Sequence, residues 1–165
     1  MPRGHTPTAS TAPASPLRTA RAVPVAAIAH LLLIDQTGQI LLRQVANGLW
    51  GLPSTVLGFT IAPHLHVARF ARRELEIEVA ERDLLLAHVS AHRATAHAAL
   101  RLVFSVGHWH GDPAHDTRCQ WAAPDTPPRL GPWDTEILPA LLTITPYTEI
   151  GWPPPDSPTL PGRSS

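Results

Sequence analysis

The stretch of residues 47–80 constrains the fold most strongly, because its residue pattern changes part of the way along. It opens with a loop punctuated by glycine and proline, residues 46–54, which contains Trp50. From Ala62 the apolar residues recur at spacings of three and four, and Pro63 suits the first turn of a helix. The pattern therefore predicts a loop followed by an amphipathic helix. The apolar positions of the predicted helix are Leu65, Ala68, Ala71, Leu75 and Val79.

The segments around this stretch read mainly as strands. An apolar run over residues 23–35 is followed by the turn Gln36-Thr37-Gly38 and a second strand at 39–44, which together predict a β-hairpin. Later β-like segments lie at 84–92, 98–109 and 119–123, and a second helix is predicted for 131–143. Strands and helices in this order suit an α/β fold in which helices cover both faces of a mixed sheet.

The two ends of the chain differ in composition from its middle. The chain has 165 residues, which suits one domain, and many of its 19 prolines lie towards the ends. We predict a disordered leader at 1–21, a folded domain at 22–144 and a disordered proline-rich tail at 145–165. The leader superficially resembles a transit peptide, but it lacks the apolar run of a signal peptide.

Charge and cysteine content narrow the choice of partners and compartment. The 13 basic residues, all arginine, balance 13 acidic ones, so no overall field attracts nucleic acid or an anionic membrane. We therefore predict neither of those partners. The single cysteine, Cys119, cannot form an internal disulfide and is predicted to be a small buried residue. This is compatible with a reducing compartment, and we predict a cytoplasmic location.

The predicted first helix carries two carboxylates that are four residues apart. On a helix, Glu74 and Glu78 share one face, with Ile77 beside them. Mg²⁺ prefers oxygen ligands and often combines one or two protein carboxylates with substrate phosphates. Arg73 is placed to orient Glu74 through a charge-assisted hydrogen bond. The alternative is a solvated helix face with weak ion pairs, which is the commoner role of such a pattern.

The loop and helix together resemble the Nudix hydrolases. The matching residues are Trp50, Leu52-Pro53, Arg73-Glu74-Leu75 and Glu78, in the order of the family box G-x5-E-x7-R-E-U-x-E-E-x-G-U, where U is apolar. The similarity continues through residues 102–113 and 119–121, and it covers about residues 23–142.

This resemblance implies a Nudix-type α/β/α sandwich with a mixed β-sheet. It also implies hydrolysis of a phosphoanhydride in a nucleoside-diphosphate derivative, with Mg²⁺ or Mn²⁺ as cofactor and a nucleotide-type small molecule as substrate. Glu74 and Glu78 would hold the metal and activate water, and Arg73 would orient Glu74. Glu74 and Arg73 are therefore the predicted catalytic residues. Trp50, beside the box loop, is the candidate for stacking on the substrate base.

Several box positions depart from the family pattern. Ile77 replaces the first glutamate of the Glu-Glu pair and thereby removes an oxygen ligand. The other departures are Leu65 for the first box glutamate, Phe59 and Ala80 for glycines, and Ser54-Thr55 for a Gly-Gly turn. Two hypotheses stay open: a weakened Mg²⁺-dependent hydrolase, and a Nudix-fold module that binds a nucleotide or a protein partner without cleaving it.

Other residues suggest less specific sites. The pairs His64-x-His66 and His108-x-His110 raise the possibility of zinc, although positions i and i+2 do not face each other on a helix. Asp112 and Asp116 are candidates for an additional carboxylate ligand. Arg43 and Arg101 lie on predicted strands, where they can meet phosphate but more commonly form surface ion pairs.

Overall fold

The computed structural model describes residues 25–58, 60–93 and 98–152, so the predicted leader lies outside the described residues. Within these ranges the chain forms two α-helices and eight strands. In chain order they are β1 (Val25–Leu32), β2 (Ile40–Gln44), β3 (Trp50–Gly51), β4 (Ser54–Val56), α1 (Pro63–Glu74), β5 (Leu84–Arg93), β6 (Ala98–Val106), β7 (Cys119–Ala122), α2 (Pro132–Leu142) and β8 (Tyr147–Ile150).

The strands form one mixed sheet and one antiparallel sheet. The larger sheet has the order β4-β1-β6-β5-β8, in which β1 runs parallel to β6, and β5 runs parallel to β8. The smaller sheet has the order β3-β2-β7. Val67 and Phe70 of α1 pack in one buried cluster, whereas Trp133 and Ile137 of α2 pack in another. The predicted α/β/α sandwich with a mixed sheet is confirmed.

The hairpin prediction is only partly right. The turn is formed, because the Asp35 carboxylate accepts hydrogen bonds from the backbone N–H groups of Thr37 and Gln39, and Gly38 has a φ of +81°. However, β1 and β2 diverge into different sheets after a single bridge between Ile34 and Ile40. The reason is that β1 already pairs with β4 on one edge and β6 on the other, so neither edge is left for β2.

Helix α1 begins at Pro63 as predicted but ends at Glu74, so the prediction that it reaches Val79 is wrong. Glu76 has a φ of +54°, which turns the chain out of the helix. Beyond it the backbone of Glu78 exchanges two hydrogen bonds with that of His110, at 2.9 and 3.0 Å. The chain is extended there. Leu75, Ile77 and Val79 are buried, and the residues between them are exposed.

The predicted boundary of the domain at residue 144 is too early. Residues 147–150 form β8, where an irregular tail was predicted. The outer edge of β5 supplies the backbone partners for this strand. The buried His88 side chain fixes the connection, since its two ring nitrogens lie 2.6 Å from the Thr145 carbonyl oxygen and 3.1 Å from the Thr148 hydroxyl.

Two short strands were not predicted, because β3 and the start of β4 lie within the predicted loop 46–54. The later elements agree better with the sequence. The predicted strands correspond to β5, β6 and β7, although β6 stops at Val106 rather than Trp109. Helix α2 has Pro132 in its first turn and ends at Leu142, one residue before the predicted end. In the part of the chain that the structure describes, no helix is long and apolar enough to span a bilayer.

Candidate functional site

A surface cleft of about 420 Å³ lies at the C-terminal end of α1. The last residues of α1 form one wall, and the loop between β6 and β7 forms the other. The lining residues are Arg73, Glu74, Glu76, His115, Asp116, Thr117 and Arg118. We call this the Glu74 cleft. Arg73 and Glu74, two of the predicted site residues, are therefore both at this cleft.

Glu74 is the last helical residue of α1, and two arginines contact its carboxylate. Arg43 Nη2 lies 3.3 Å from Glu74 Oε2, and Arg73 Nε lies 3.7 Å from Oε1. Arg43 belongs to β2, where its backbone is opposite Gly51 of β3 and Cys119 of β7. The partly buried contact with Arg43 gives the Glu74 carboxylate a cationic partner supplied by the protein itself.

The structure separates Glu78 from the helix that carries Glu74. Because α1 ends at Glu74, the two carboxylates do not share one helical face, and that part of the sequence interpretation is wrong. The Glu78 side chain is 68% exposed, and its Oε1 lies 3.7 Å from Arg72 Nε. Ile77, between the two glutamates in the box, is completely buried in the core under α1.

Two further ion pairs line the Glu74 cleft, one within the loop between β6 and β7 and one that joins this loop to Glu76. Arg118 donates to both carboxylate oxygens of Asp116, at 2.8 to 3.2 Å, and these hydrogen bonds lower the Asp116 pKa to about 2. His115 Nε2 lies 3.1 Å from Glu76 Oε2. A hydrogen bond between His115 and the Asp112 backbone carbonyl raises the His115 pKa, and Glu76 adds to the effect.

Sequence reasoning identified only part of this wall. Asp116 was a candidate carboxylate and does line the cleft, whereas the Asp112 side chain instead accepts a hydrogen bond from the Ala114 N–H. The Glu76–His115 and Asp116–Arg118 pairs were not predicted as cleft features. None of the four residues lies in an α-helix or a β-strand, so no helical or strand periodicity marks them.

The carboxylates of the Glu74 cleft do not fit a resident magnesium ion. Glu74, Glu76 and Asp116 each have a cationic or protonatable partner within 3.3 Å. Across residues 25–58, 60–93 and 98–152, no group of three or more His, Cys, Asp and Glu side chains is placed to hold a metal. Mg²⁺ needs several oxygen ligands in near-octahedral geometry, and here it would have to bind Glu74 next to the Arg43 guanidinium.

The other predicted site residues lie elsewhere. Trp50 is half-buried beside the core under α2, its backbone bonds to Arg129 and Gly131, and it does not line the Glu74 cleft. His64 packs edge-on against Phe104, and His66 contacts the Thr55 hydroxyl at 3.4 Å. His108 and His110 line a separate surface cleft together with Trp109. These positions do not assemble a zinc site among the described residues.

A second group of polar side chains is buried beneath α2. His30 stacks on Trp133 with ring centroids 3.9 Å apart, and its Nε2 accepts a hydrogen bond from Arg101 at 3.1 Å. Burial, helped by the Arg101 charge, lowers the His30 pKa to about 3. Asp134 accepts a hydrogen bond from the Leu52 N–H at 2.9 Å, and burial raises its pKa to about 6. We call these four side chains the His30 cluster.

The His30 cluster corrects one prediction, and the neighbouring core confirms another. Arg101, predicted as a partner in a surface ion pair, is instead partly buried, with its guanidinium 4.8 Å from the Trp133 ring centre. Cys119 is buried as predicted, and burial raises the pKa of its thiol. A neutral buried thiol is a poor nucleophile.

The arrangement of α1 and α2 on opposite faces of a mixed sheet is the fold of the MutT and Nudix proteins. The solution structure of the E. coli ORF135 protein matches with a TM-score of 0.62 and 19% identity, over 74% of this chain and 91% of that one. A MutT NUDIX hydrolase from Burkholderia pseudomallei matches with a TM-score of 0.59 and 23% identity, over 70% and 97% of the two chains. A MutT protein from Bacillus halodurans gives a TM-score of 0.61 and 16% identity, over 75% and 88%.

These structural matches confirm the predicted Nudix fold. No protein-family model matches the sequence, and no curated protein matches it either. At such low identities the similarity establishes the fold alone, and the chemistry has to be argued from the side chains of the cleft.

Proposed function

We propose that this protein binds a nucleoside-diphosphate derivative through its phosphoanhydride in the Glu74 cleft and does not hydrolyse it efficiently. The observation that carries this proposal is the end of α1 at Glu74. It leaves Glu74 without a second carboxylate on the same helical face, and Arg43 occupies one side of its carboxylate. The fold and the arginines at and beside the cleft support ligand binding, whereas among the described residues the ligands of a catalytic metal are not assembled.

The ligand class follows from the arginines along α1. Arg73 lines the Glu74 cleft, and it also lines a neighbouring cavity of about 310 Å³ together with Arg69 and Arg72. Guanidinium groups present a planar set of donors that matches phosphate oxygens, often with two parallel hydrogen bonds. A diphosphate that spans the cleft and this cavity would have three arginines available to it.

A weakened metal-dependent hydrolase is the second candidate. It is favoured by the box residues Arg73 and Glu74 at the end of α1 and by a fold shared with proteins named as hydrolases. In this alternative Glu74 and Glu78 would hold Mg²⁺ or Mn²⁺, whose charge would stabilise the departing phosphate. The ion would have to compete with Arg43 at Glu74 and with Arg72 at Glu78.

One experiment separates the two candidates. Binding and product release are measured for nucleoside triphosphates, ADP-ribose, NADH and dinucleoside polyphosphates, each with Mg²⁺ and with Mn²⁺. The wild type is compared with Glu74→Gln, Glu78→Gln and Arg73→Gln, and Glu136→Gln on the exposed side of α2 is the matched control. We expect binding without turnover, weakened by Arg73→Gln and unaffected by the control.

Turnover by the wild type that is lost in both Glu74→Gln and Glu78→Gln would establish the hydrolase instead. Turnover that survives in both variants would point to a contaminating enzyme. If none of the nucleotides binds, with or without metal, the binding proposal is wrong.

A further inference from the structure

Arg43 places a positive charge beside Glu74, which lines the Glu74 cleft. Its side chain is only 16% exposed, and it reaches from β2 to the Glu74 carboxylate. Its charge also contributes to the low pKa of Asp116, so it acts on carboxylates from both walls of the cleft. The protein itself therefore supplies a cation next to the Glu74 carboxylate.

We propose that Arg43 takes the place of a divalent metal at Glu74, so that the cleft binds the phosphates of its ligand without a metal ion. The binding groups are the guanidinium groups of Arg73 in the cleft and of Arg69 and Arg72 in the neighbouring cavity. This inference rests on the proposed function, since it concerns how the same ligand is held. The ligand class is a diphosphate or pyrophosphate group.

Arg43 disfavours a metal ion at Glu74 for two reasons. A divalent cation beside the Glu74 carboxylate would be repelled by the guanidinium, and in a partly buried position that repulsion is only weakly screened. In addition, Mg²⁺ gives up its water ligands reluctantly and needs a set of well-placed oxygens in return. Asp116 cannot readily supply them, because both of its carboxylate oxygens accept hydrogen bonds from Arg118.

The arginines of α1 are, by contrast, free to exchange partners. Arg69, Arg72 and Arg73 are three and four residues apart, so they project from one side of the helix. The side chains of Arg72 and Arg73 are 75% and 78% exposed. Their ion pairs with Glu78 and Glu74 are single contacts of 3.7 Å, which are weak in water and can give way to a phosphate.

The test uses the full chain with inorganic pyrophosphate and Mn²⁺ as probes. Calorimetry measures pyrophosphate binding first in excess EDTA and then with Mg²⁺, corrected for the magnesium pyrophosphate that forms in solution. We expect Mg²⁺ to change the affinity by less than about twofold, and Arg73→Gln to weaken it about tenfold, the effect of losing one charge-assisted hydrogen bond.

Electron paramagnetic resonance measures Mn²⁺ binding to the wild type, Arg43→Gln and Arg43→Lys. We expect Mn²⁺ affinity to rise about tenfold or more in Arg43→Gln, because Glu74 loses its resident cation. The matched Arg43→Lys variant keeps the charge and should show no such gain. Near-UV circular dichroism checks that both variants are folded.

Glu74→Gln provides a second test that does not require Arg43 to be changed. If arginines alone bind the ligand, removing a negative charge from the cleft should strengthen pyrophosphate binding several-fold. If a metal on Glu74 bridges to the ligand, the same substitution should weaken it.

Three results would overturn the inference. Pyrophosphate binding that requires Mg²⁺ would overturn the inference but would not contradict the proposed ligand class. Mn²⁺ binding by the wild type that is lost in Glu74→Gln would also overturn the inference, because it would show a metal bound at Glu74. If neither pyrophosphate nor any nucleotide binds with or without metal, both the inference and the proposed function are wrong.

Discussion

The His30 cluster gives the fold two opposing responses to pH. Burial raises the pKa of Asp134 from 3.8 to about 6, and burial together with Arg101 lowers the pKa of His30 from 6.5 to about 3. Both side chains lie in the same buried region, one on β1 and the other in the first turn of α2. Between pH 4 and 6 each group differs in protonation between the folded and unfolded states.

The two differences have opposite signs. In this pH range folded Asp134 keeps a proton that the unfolded chain has released, so its contribution to the free energy of unfolding falls as pH rises. His30 is neutral in the fold while the unfolded chain binds a proton there, so its contribution increases as pH rises. Each slope is about 1.4 kcal/mol per pH unit, and the two slopes cancel in the wild type.

In Asp134→Asn, the free energy of unfolding should show only the pH dependence that His30 contributes. The asparagine oxygen can still accept the hydrogen bond from the Leu52 N–H, while the titratable group is lost. We expect the free energy of unfolding to increase by about 3 kcal/mol from pH 4 to 6. In His30→Gln we expect the reverse, a decrease of similar size, because Asp134 then titrates alone. Urea unfolding followed by tryptophan fluorescence at several pH values measures both slopes.

The exposed variant Glu136→Gln on α2 is the control and should keep the nearly flat wild-type profile. A flat profile in Asp134→Asn, or slopes of the same sign in both variants, would contradict this account of the buried charges.

Three further predictions concern two glycines and the single cysteine. Gly111→Ala should lower the free energy of unfolding by about 2 kcal/mol or more in urea titrations, because the φ of Gly111 is +107° and an added Cβ would lie 2.7 Å from the Glu76 carbonyl oxygen. Gly38→Ala is the matched control: its φ is +81° but nothing lies within 4 Å, so the loss should be only about 1 kcal/mol. Gly51→Ala should cost about 1–3 kcal/mol in the same titrations, because its Cβ would lie 2.9 Å from Asp134 Cγ and force that side chain off the Leu52 N–H. Finally, the Cys119 thiol should react with a thiol reagent slowly in the native protein and rapidly in urea, since it is buried and neutral.

Local patterns predicted the parts of the fold that depend on local signals. The prolines at the start of α1 and α2 marked both helix beginnings, and apolar runs marked β5, β6 and β7. The partner of β2 was not predictable in this way, because it depends on which strands have already occupied the edges of β1. Strand β8 was missed for a related reason, since its pairing is set by the open edge of β5.

The candidate site shows the same limit more sharply. Leu75 and Val79 are four residues apart, a spacing that fits one face of a helix and equally one face of a strand. Ile77 distinguishes the two, because a position i+2 is buried with them only on a strand. That alternation was visible in the sequence, but the family box favoured a helix. The ion pairs across the Glu74 cleft join separate elements and have no sequence pattern.

Restoring the missing box glutamate therefore tests whether the backbone at residues 75–79 is helical or extended. The sequence interpretation predicts that Ile77→Glu adds a metal ligand and strengthens Mg²⁺ binding. In the structure Ile77 is 0% exposed and packs in the core with Leu75 and Val79. A carboxylate there would lose the apolar contacts and be buried without a partner, at a cost of about 3 kcal/mol or more.

We accordingly expect Ile77→Glu to lower the free energy of unfolding in urea by at least about 3 kcal/mol, with no gain in Mn²⁺ affinity. Ile77→Val, which keeps the apolar character, should lose only about 1 kcal/mol. A folded Ile77→Glu protein that binds Mn²⁺ more tightly than the wild type would show that residues 75–79 can return to the helix. In that case the end of α1 at Glu74 would no longer argue against catalysis, and the hydrolase would become the better explanation of the Glu74 cleft.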